Sequence, residues 1–212
     1  MFKLTRFLVK EILQNNFIYS KILKPRTGPP PKIKKWINKY KNDMVEDILV
    51  CREPVNGAVK KLINIISLGK FDKSLKGLRY EDIFHLYIYI KVKNTWFRIE
   101  KNEVVTLTKS KKKHSEICLD LVGKNITLEK FMKTGENYQD NFWSYNARNN
   151  NCQDFALSLL LGNKIIRKNS KEYKFIKQDA EAIFTSNPGY LDKFGKTVTD
   201  IAGIFAILKD PF

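Results

Sequence analysis

The stretch "DIFHLYIYIKVKNTWFRIEKNEVVTLT", residues 82–108, carries the strongest structural signal in the chain. Two runs of β-branched and aromatic residues flank Lys93–Asn94, which predicts a β-hairpin closed by a short Asn-containing turn. In the first run Leu86, Ile88, Ile90 and Val92 share one face, while His85, Tyr87, Tyr89 and Lys91 share the other. In the second run Phe97 and Ile99 fall on the apolar face, and Trp96, Arg98, Glu100 and Asn102 on the polar one. A two-residue turn at Lys93–Asn94 sets Asn102 opposite His85, with Glu100 diagonally across the same face. Alternation alone therefore collects a histidine and two polar side chains able to orient it.

The neighbouring segments extend this hairpin into a domain. "SEICLDLV" (115–122) reads as a further strand, with Ile117, Leu119 and Leu121 alternating. "TLEKFMKTG" (127–135) is a short helix opened by Thr127, and "NCQDFALSLLLGN" (151–163) a helix ended by Gly162. "SKEYKFIKQDAEAIF" (170–184) is a third helix, with Ser170 as N-cap, and residues 191–208 a last one, kinked near Gly195. Upstream, the pattern from Trp36 to about Leu68 is helical, with Val55, Val59, Leu62, Ile63 and Ile66 on one side and Gly69 as a stop. "KPRTGPPPKIKK" (24–35) is a basic, Pro-rich linker, and residues 1–23 form a basic amphipathic helix. The expected architecture is α+β: an antiparallel strand meander packed with helices over 36–212, preceded by linker and helix.

Composition narrows the function. The 212 residues carry a formal charge of +17. Such a balance favours an acidic partner: nucleic acid, an anionic membrane surface or an acidic protein. Heavy use of Lys, Asn and Ile also fits an AT-rich coding sequence, so the charge reads equally as compositional. The runs "KIKK" (32–35) and "TKSKKKHSE" (108–116) suit phosphate contacts, yet no recognition-helix or RNA-binding aromatic motif accompanies them. The three cysteines, Cys51, Cys118 and Cys152, are odd in number and widely spaced. They predict no disulfide framework, no structural zinc site and a reducing compartment. The N-terminal segment lacks the pattern of a secretory signal, and no run approaches the ~18 apolar residues of a spanning helix.

Cys152 opens the helix "NCQDFALSLLLGN" behind Asn149, Asn150 and Asn151. A helix N-terminus offers unpaired N–H groups and the positive end of the helix dipole, both of which favour the thiolate nucleophile. The same N–H groups suit the oxyanion of a tetrahedral intermediate. Such a nucleophile needs a base. His114 lies in a charged loop, which leaves His85 as base and Glu100 or Asn102 as its orienter. A cysteine buried as a small hydrophobe is the plain alternative. The aromatic and amide-rich segment 137–148 supplies Trp143 and Tyr145, which with Asn151 and Gln153 form either the lip of a substrate groove or an ordinary loop packed on the sheet.

The order of His85, a polar residue on the next strand, and an Asn151–Cys152 pair opening a helix resembles circularly permuted papain-like enzymes. These include the lecithin:retinol acyltransferase-like and PPPDE groups, with NlpC-type hydrolases as unpermuted relatives. "NNCQDF" (150–155) is similar to their Asn-Cys-x-x-Phe signature. The resemblance implies Cys152 as nucleophile, His85 as base and Glu100 or Asn102 in the third position, without cofactor or metal. The strings at 57–71, 84–90, 99–105, 145–155, 175–184 and 196–204 also look like a family of uncharacterised proteins from large DNA viruses and their virophage-like parasites. Two departures stand out: Gln153 follows the cysteine where the adenovirus-protease-like clan has small residues, and Gln139 is the nearest glutamine to that clan's oxyanion position. The expected function is a viral thiol hydrolase or acyltransferase acting on a peptide or lipid acyl substrate in virion or host cytoplasm. The alternative is a non-enzymatic basic virion protein that binds nucleic acid, an anionic membrane or other virion proteins on the same scaffold.

Overall fold

The computed structural model describes residues 27–54, 84–102, 104–110, 117–122, 125–145 and 150–177. Five strands, β1 (Val45–Pro54), β2 (Phe84–Val92), β3 (Thr95–Lys101), β4 (Val105–Lys109) and β5 (Ile117–Val122), form one antiparallel sheet in the order β4-β3-β2-β1-β5. The described helices are α1 (Pro31–Tyr40), α2 (Leu128–Tyr138), α3 (Cys152–Gly162) and α4 (Lys171–Ile176). The class is α+β, and no described helix is long and apolar enough to cross a membrane.

The hairpin has the expected register. Val92 pairs with Thr95, and the two turn residues Lys93 and Asn94 take left-handed φ values of 48° and 56°. Two left-handed residues make a type I′ turn, whose twist matches that of the flanking strands. The second run departs from expectation by splitting. Its strand ends at Lys101, and β4 returns with Val105 opposite Lys101.

Three further expectations are corrected. Residues 45–54, inside the stretch read as helical, form β1, which lies between β2 and β5. Ile48, Leu49, Val50 and Cys51 are buried in succession, because a central strand is covered on both faces and loses the alternation that would reveal it. The helix α1 begins at Pro31, inside the stretch read as linker; proline at the first helical position has the right φ and lacks only an N–H that would be unpaired anyway. Cys51 and Cys118 stand opposite each other on β1 and β5 and are joined by a disulfide. With β1 unread, that register was invisible, and the expectation of a reducing compartment loses its basis in unpaired cysteines. The helices expected over 1–23, 55–68 and 191–208, and His114, lie outside the described residues.

The helices pack on one face of the sheet. Ile48, Val50, Leu86, Ile88, Ile90 and Ile99 meet Ile33 and Trp36 of α1, Phe131 of α2, and Phe155 and Leu159 of α3. Thr127 caps α2 by accepting from the Lys130 N–H, as expected, but the helix continues past Gly135 to Tyr138. A Cβ on Gly135 would lie 2.5 Å from Leu159 Cδ2, so glycine lets α2 rest directly on α3. That close packing offsets the ~1 kcal/mol that glycine costs inside a helix. On the opposite face Leu49, Cys51, Tyr87 and Tyr89 form a second buried cluster, with Tyr87 edge-on to Tyr89 at 5.7 Å between ring centroids.

Candidate active site

Cys152 is the first residue of α3, and the preceding asparagine holds it there. Asn151 Oδ1 accepts from the Gln153 N–H (2.8 Å) and the Asp154 N–H (3.4 Å), while Asp154 Oδ2 accepts from the Asn151 N–H (3.2 Å). This reciprocal capping box satisfies amides that a helix end otherwise leaves unpaired. The Phe155 N–H makes the first intrahelical bond, to Asn151 O at 3.0 Å. The cap thus bypasses the Cys152 N–H, which has no acceptor among the described residues.

The sulfur meets the start of β2. The His85 ring and the Leu86 N–H both act on the Cys152 thiol and favour its thiolate. Pairing of β2 with β3 stops at Tyr87 opposite Glu100, so Leu86 lies one residue beyond the end of that ladder. His85 Nε2 donates to Glu100 Oε2 at 3.0 Å, which leaves Nδ1 as the ring nitrogen for the sulfur. Arg98 Nη2 donates to the same carboxylate oxygen at 2.9 Å, and the Thr106 hydroxyl donates to Oε1 at 3.4 Å. Arg98 itself stacks on the Tyr87 ring, 3.7 Å from its centroid. Glu100 is thus fixed from three sides.

The electrostatics favour a charged pair. Burial opposes the imidazolium, but hydrogen bonds and charge from Cys152 and Glu100 outweigh it and push His85 up to about 10. Burial also opposes the thiolate, and again the His85 bond, its charge and the Leu86 N–H win, so Cys152 sits below its ordinary value. Asp154, in the first turn of α3, works against the thiolate, and Lys177 Nζ partly neutralises it by donating to Oδ1 at 2.8 Å. Glu100 is lowered to about 2: burial raises it, but His85 and Arg98 more than compensate. The arrangement can present a thiolate beside an imidazolium and a backbone N–H that no described residue accepts from, the elements that acyl transfer needs.

Behind Cys152 lies a polar network that sequence reasoning missed. Lys101 is 1% exposed, and its ammonium donates to Phe142 O (2.8 Å) and Asn150 Oδ1 (2.5 Å). Asn150 Oδ1 also accepts from Gln139 Nε2 at 2.9 Å, and Asn150 Nδ2 donates to Asn141 O at 2.7 Å. The Ser158 hydroxyl of α3 donates to Gln139 Oε1. The one available sign was Lys101 itself, which continues the apolar face of Phe97 and Ile99 by strict alternation and so points a cation inward.

Of the residues singled out from sequence, the structure brings together Cys152, His85 and Glu100. Asn102 does not join them: the β3–β4 turn takes over at that residue, and its N–H donates to Val104 O at 3.3 Å. Trp143 is no groove lip. It is 3% exposed, and its indole N–H donates to Glu136 Oε1 at 2.6 Å, because the segment folds its rings against Phe142 and the core. Tyr145 is half-buried, while Asn151 and Gln153 are buried, the former as the helix cap. Gln139 is committed to Asn150 and Ser158, which removes it as an oxyanion donor. Set against protein families, curated proteins and solved structures, the chain matches none of them, so its reading rests on its own geometry.

Proposed function

We propose that this protein is a cysteine-dependent hydrolase or acyltransferase on a papain-like, circularly permuted scaffold of viral type. The observation that carries the reading is the His85 ring, bonded to Glu100 at 3.0 Å and acting on Cys152 at a helix N-terminus so that the thiolate is favoured. Cys152 thiolate attacks the carbonyl carbon of an amide, ester or thioester, and the carbonyl oxygen takes the negative charge. The Cys152 N–H stabilises that oxyanion. Collapse expels the leaving group, which takes the His85 proton, and leaves a thioester on Cys152. His85 then removes a proton from water or from an acceptor alcohol or amine, which attacks the thioester and releases the acyl group. Glu100 keeps the imidazole oriented throughout.

The test is alkylation of the protein by iodoacetamide across pH, with the modified cysteine identified by mass spectrometry. Expected is rapid labelling of Cys152 well below the pH of an ordinary thiol, slowed in His85→Ala. An inflection in the usual thiol range, unmoved in His85→Ala, would sink the enzyme reading.

A second reading, a basic virion protein that binds nucleic acid or anionic membrane, is favoured by one feature. Lys32, Lys34, Lys35 and Lys39 of α1 are all exposed, and the first turn of that helix holds no acidic residue. Salt-sensitive retention of DNA by both wild type and Cys152→Ala would support it. Retention unaffected by salt would count against it.

A further inference from the structure

The last two residues of β3 point to opposite faces of the sheet and hold opposite sides of the candidate site. Glu100 reaches His85 on one face. Lys101 crosses to the other and bonds Asn150 and Phe142 O, the segment that leads into Cys152. We propose that Lys101 is a positioning residue for Cys152: its buried ammonium fixes the Asn150–Asn151 turn and, through its charge, favours the thiolate. This rests on the cysteine-dependent reading above and extends it.

Several observations converge on a role that needs the cation. Both described acceptors of Lys101 are neutral oxygens, and its nitrogen lies 6.0 Å and 5.7 Å from the Phe142 and Phe155 ring centroids. A buried ammonium without a bonded carboxylate is expensive, and an uncharged side chain would tie the same elements with less desolvation. Burial accordingly lowers Lys101 to about 8, while the charges of Asp154 and Cys152 act to raise it. Interaction energy is mutual, so an ammonium stabilised by the Cys152 thiolate stabilises that thiolate in return, by less than His85 and the Leu86 N–H do. Asn150 relays the position: Oδ1 takes Lys101 and Gln139, and Nδ2 holds Asn141 O. With both ends of its amide engaged, Asn150 sets where the next two residues start the helix.

Two variants of the full chain separate position from charge. Lys101→Met keeps length and removes the cation. Lys101→Arg keeps the cation, with N–H groups to reach the same oxygens. The readout is the pH profile of iodoacetamide alkylation at Cys152, beside the thermal midpoint. Expected is an upward shift of the inflection by about one pH unit in Lys101→Met, corresponding to roughly tenfold less thiolate below it, and an inflection in Lys101→Arg that stays with wild type even where its thermal midpoint falls. A purely structural Lys101 predicts that the inflection follows the thermal midpoint, moving in both variants or in neither. If Lys101→Met fails to fold, Lys101→Gln, which keeps an N–H donor without the charge, takes its place. A low wild-type inflection that neither folded variant moves overturns this inference and leaves the cysteine-dependent reading intact; an ordinary wild-type inflection overturns both.

Discussion

The two ends of the β2–β3 hairpin use the same kinds of side chain to different effect. At the turn end, Lys91 meets Asp47 at 3.2 Å and Glu46 at 3.5 Å, and Lys93 meets Asp43 at 3.2 Å. Lys93 is 67% exposed there, so water screens the pairing. At the open end, His85 and Glu100 are only 21% and 19% exposed, and Lys101 is sealed in. Charges held out of water interact strongly and shift one another's proton affinity far, whereas at the rim Asp47 and Glu46 raise Lys91 in a setting that water screens. The hairpin therefore carries water-screened ion pairs at one end and a buried electrostatic cluster at the other.

The largest effect expected from breaking that contrast comes from the open end. His85→Ala should slow acyl transfer from an activated thioester by about 10²–10⁴-fold, the usual contribution of a positioned acid–base group. Single-turnover acylation of Cys152 measures it, and a loss below tenfold would place the proton transfer elsewhere. Next in size is the bond between the sheet's inner and outer strands. The Cys51–Cys118 disulfide spans a sequence separation of 67, and chain-entropy scaling gives about 4 kcal/mol for such a loop. Denaturation in urea with and without a thiol reductant should differ by up to that amount, while equal midpoints would show that the sheet needs no covalent staple.

A smaller effect sharpens the contrast through pH. Glu100 falls from the usual 4.5 to about 2 in the fold, so its stabilisation is complete above pH 4.5 and lost as pH drops through about 2. His85 rises from 6.5 to about 10, so its stabilisation is complete below pH 6.5 and lost as pH climbs through about 10. The pair therefore supports the fold best between pH 4.5 and 6.5. Urea midpoints of Glu100→Gln should trail those of wild type most in that window and converge toward pH 2; a constant gap would assign the loss to packing. The smallest effect belongs to the turn end, where Lys93→Ala should leave the melting temperature within about 2 °C of wild type.

The hairpin and its register were readable because β-branched alternation and a two-residue turn leave little freedom. The pairing of Cys152 with His85 followed from the helix-start signature, and Glu100 was one of two orienters that alternation allowed. Choosing between Glu100 and Asn102 needed the point where β3 stops pairing, which depends on the β3–β4 turn and carries no local signal in "EKNEVV". β1 was hidden for a different reason: burial on both faces erases the period of two, and a continuous apolar run fits a helix as well as a strand. The Lys101–Asn150–Gln139–Ser158 network joins residues from β3, the loop before α3, the end of α2 and α3 itself. No pattern along the chain relates positions brought together only by tertiary packing.

The Cys51–Cys118 bond also changes what the chain is as a graph. Covalently, the protein becomes a closed ring bearing two tails. His85, Glu100 and Lys101 ride inside the ring, while Cys152 and its capping turn ride on the C-terminal tail. The candidate site is completed only where tail docks on ring. A cut in the tail between β5 and Cys152 would leave the histidine-bearing half and the sulfur-bearing half as separate pieces, joined by packing and hydrogen bonds alone, so thiol reactivity at Cys152 would report directly on their reassembly.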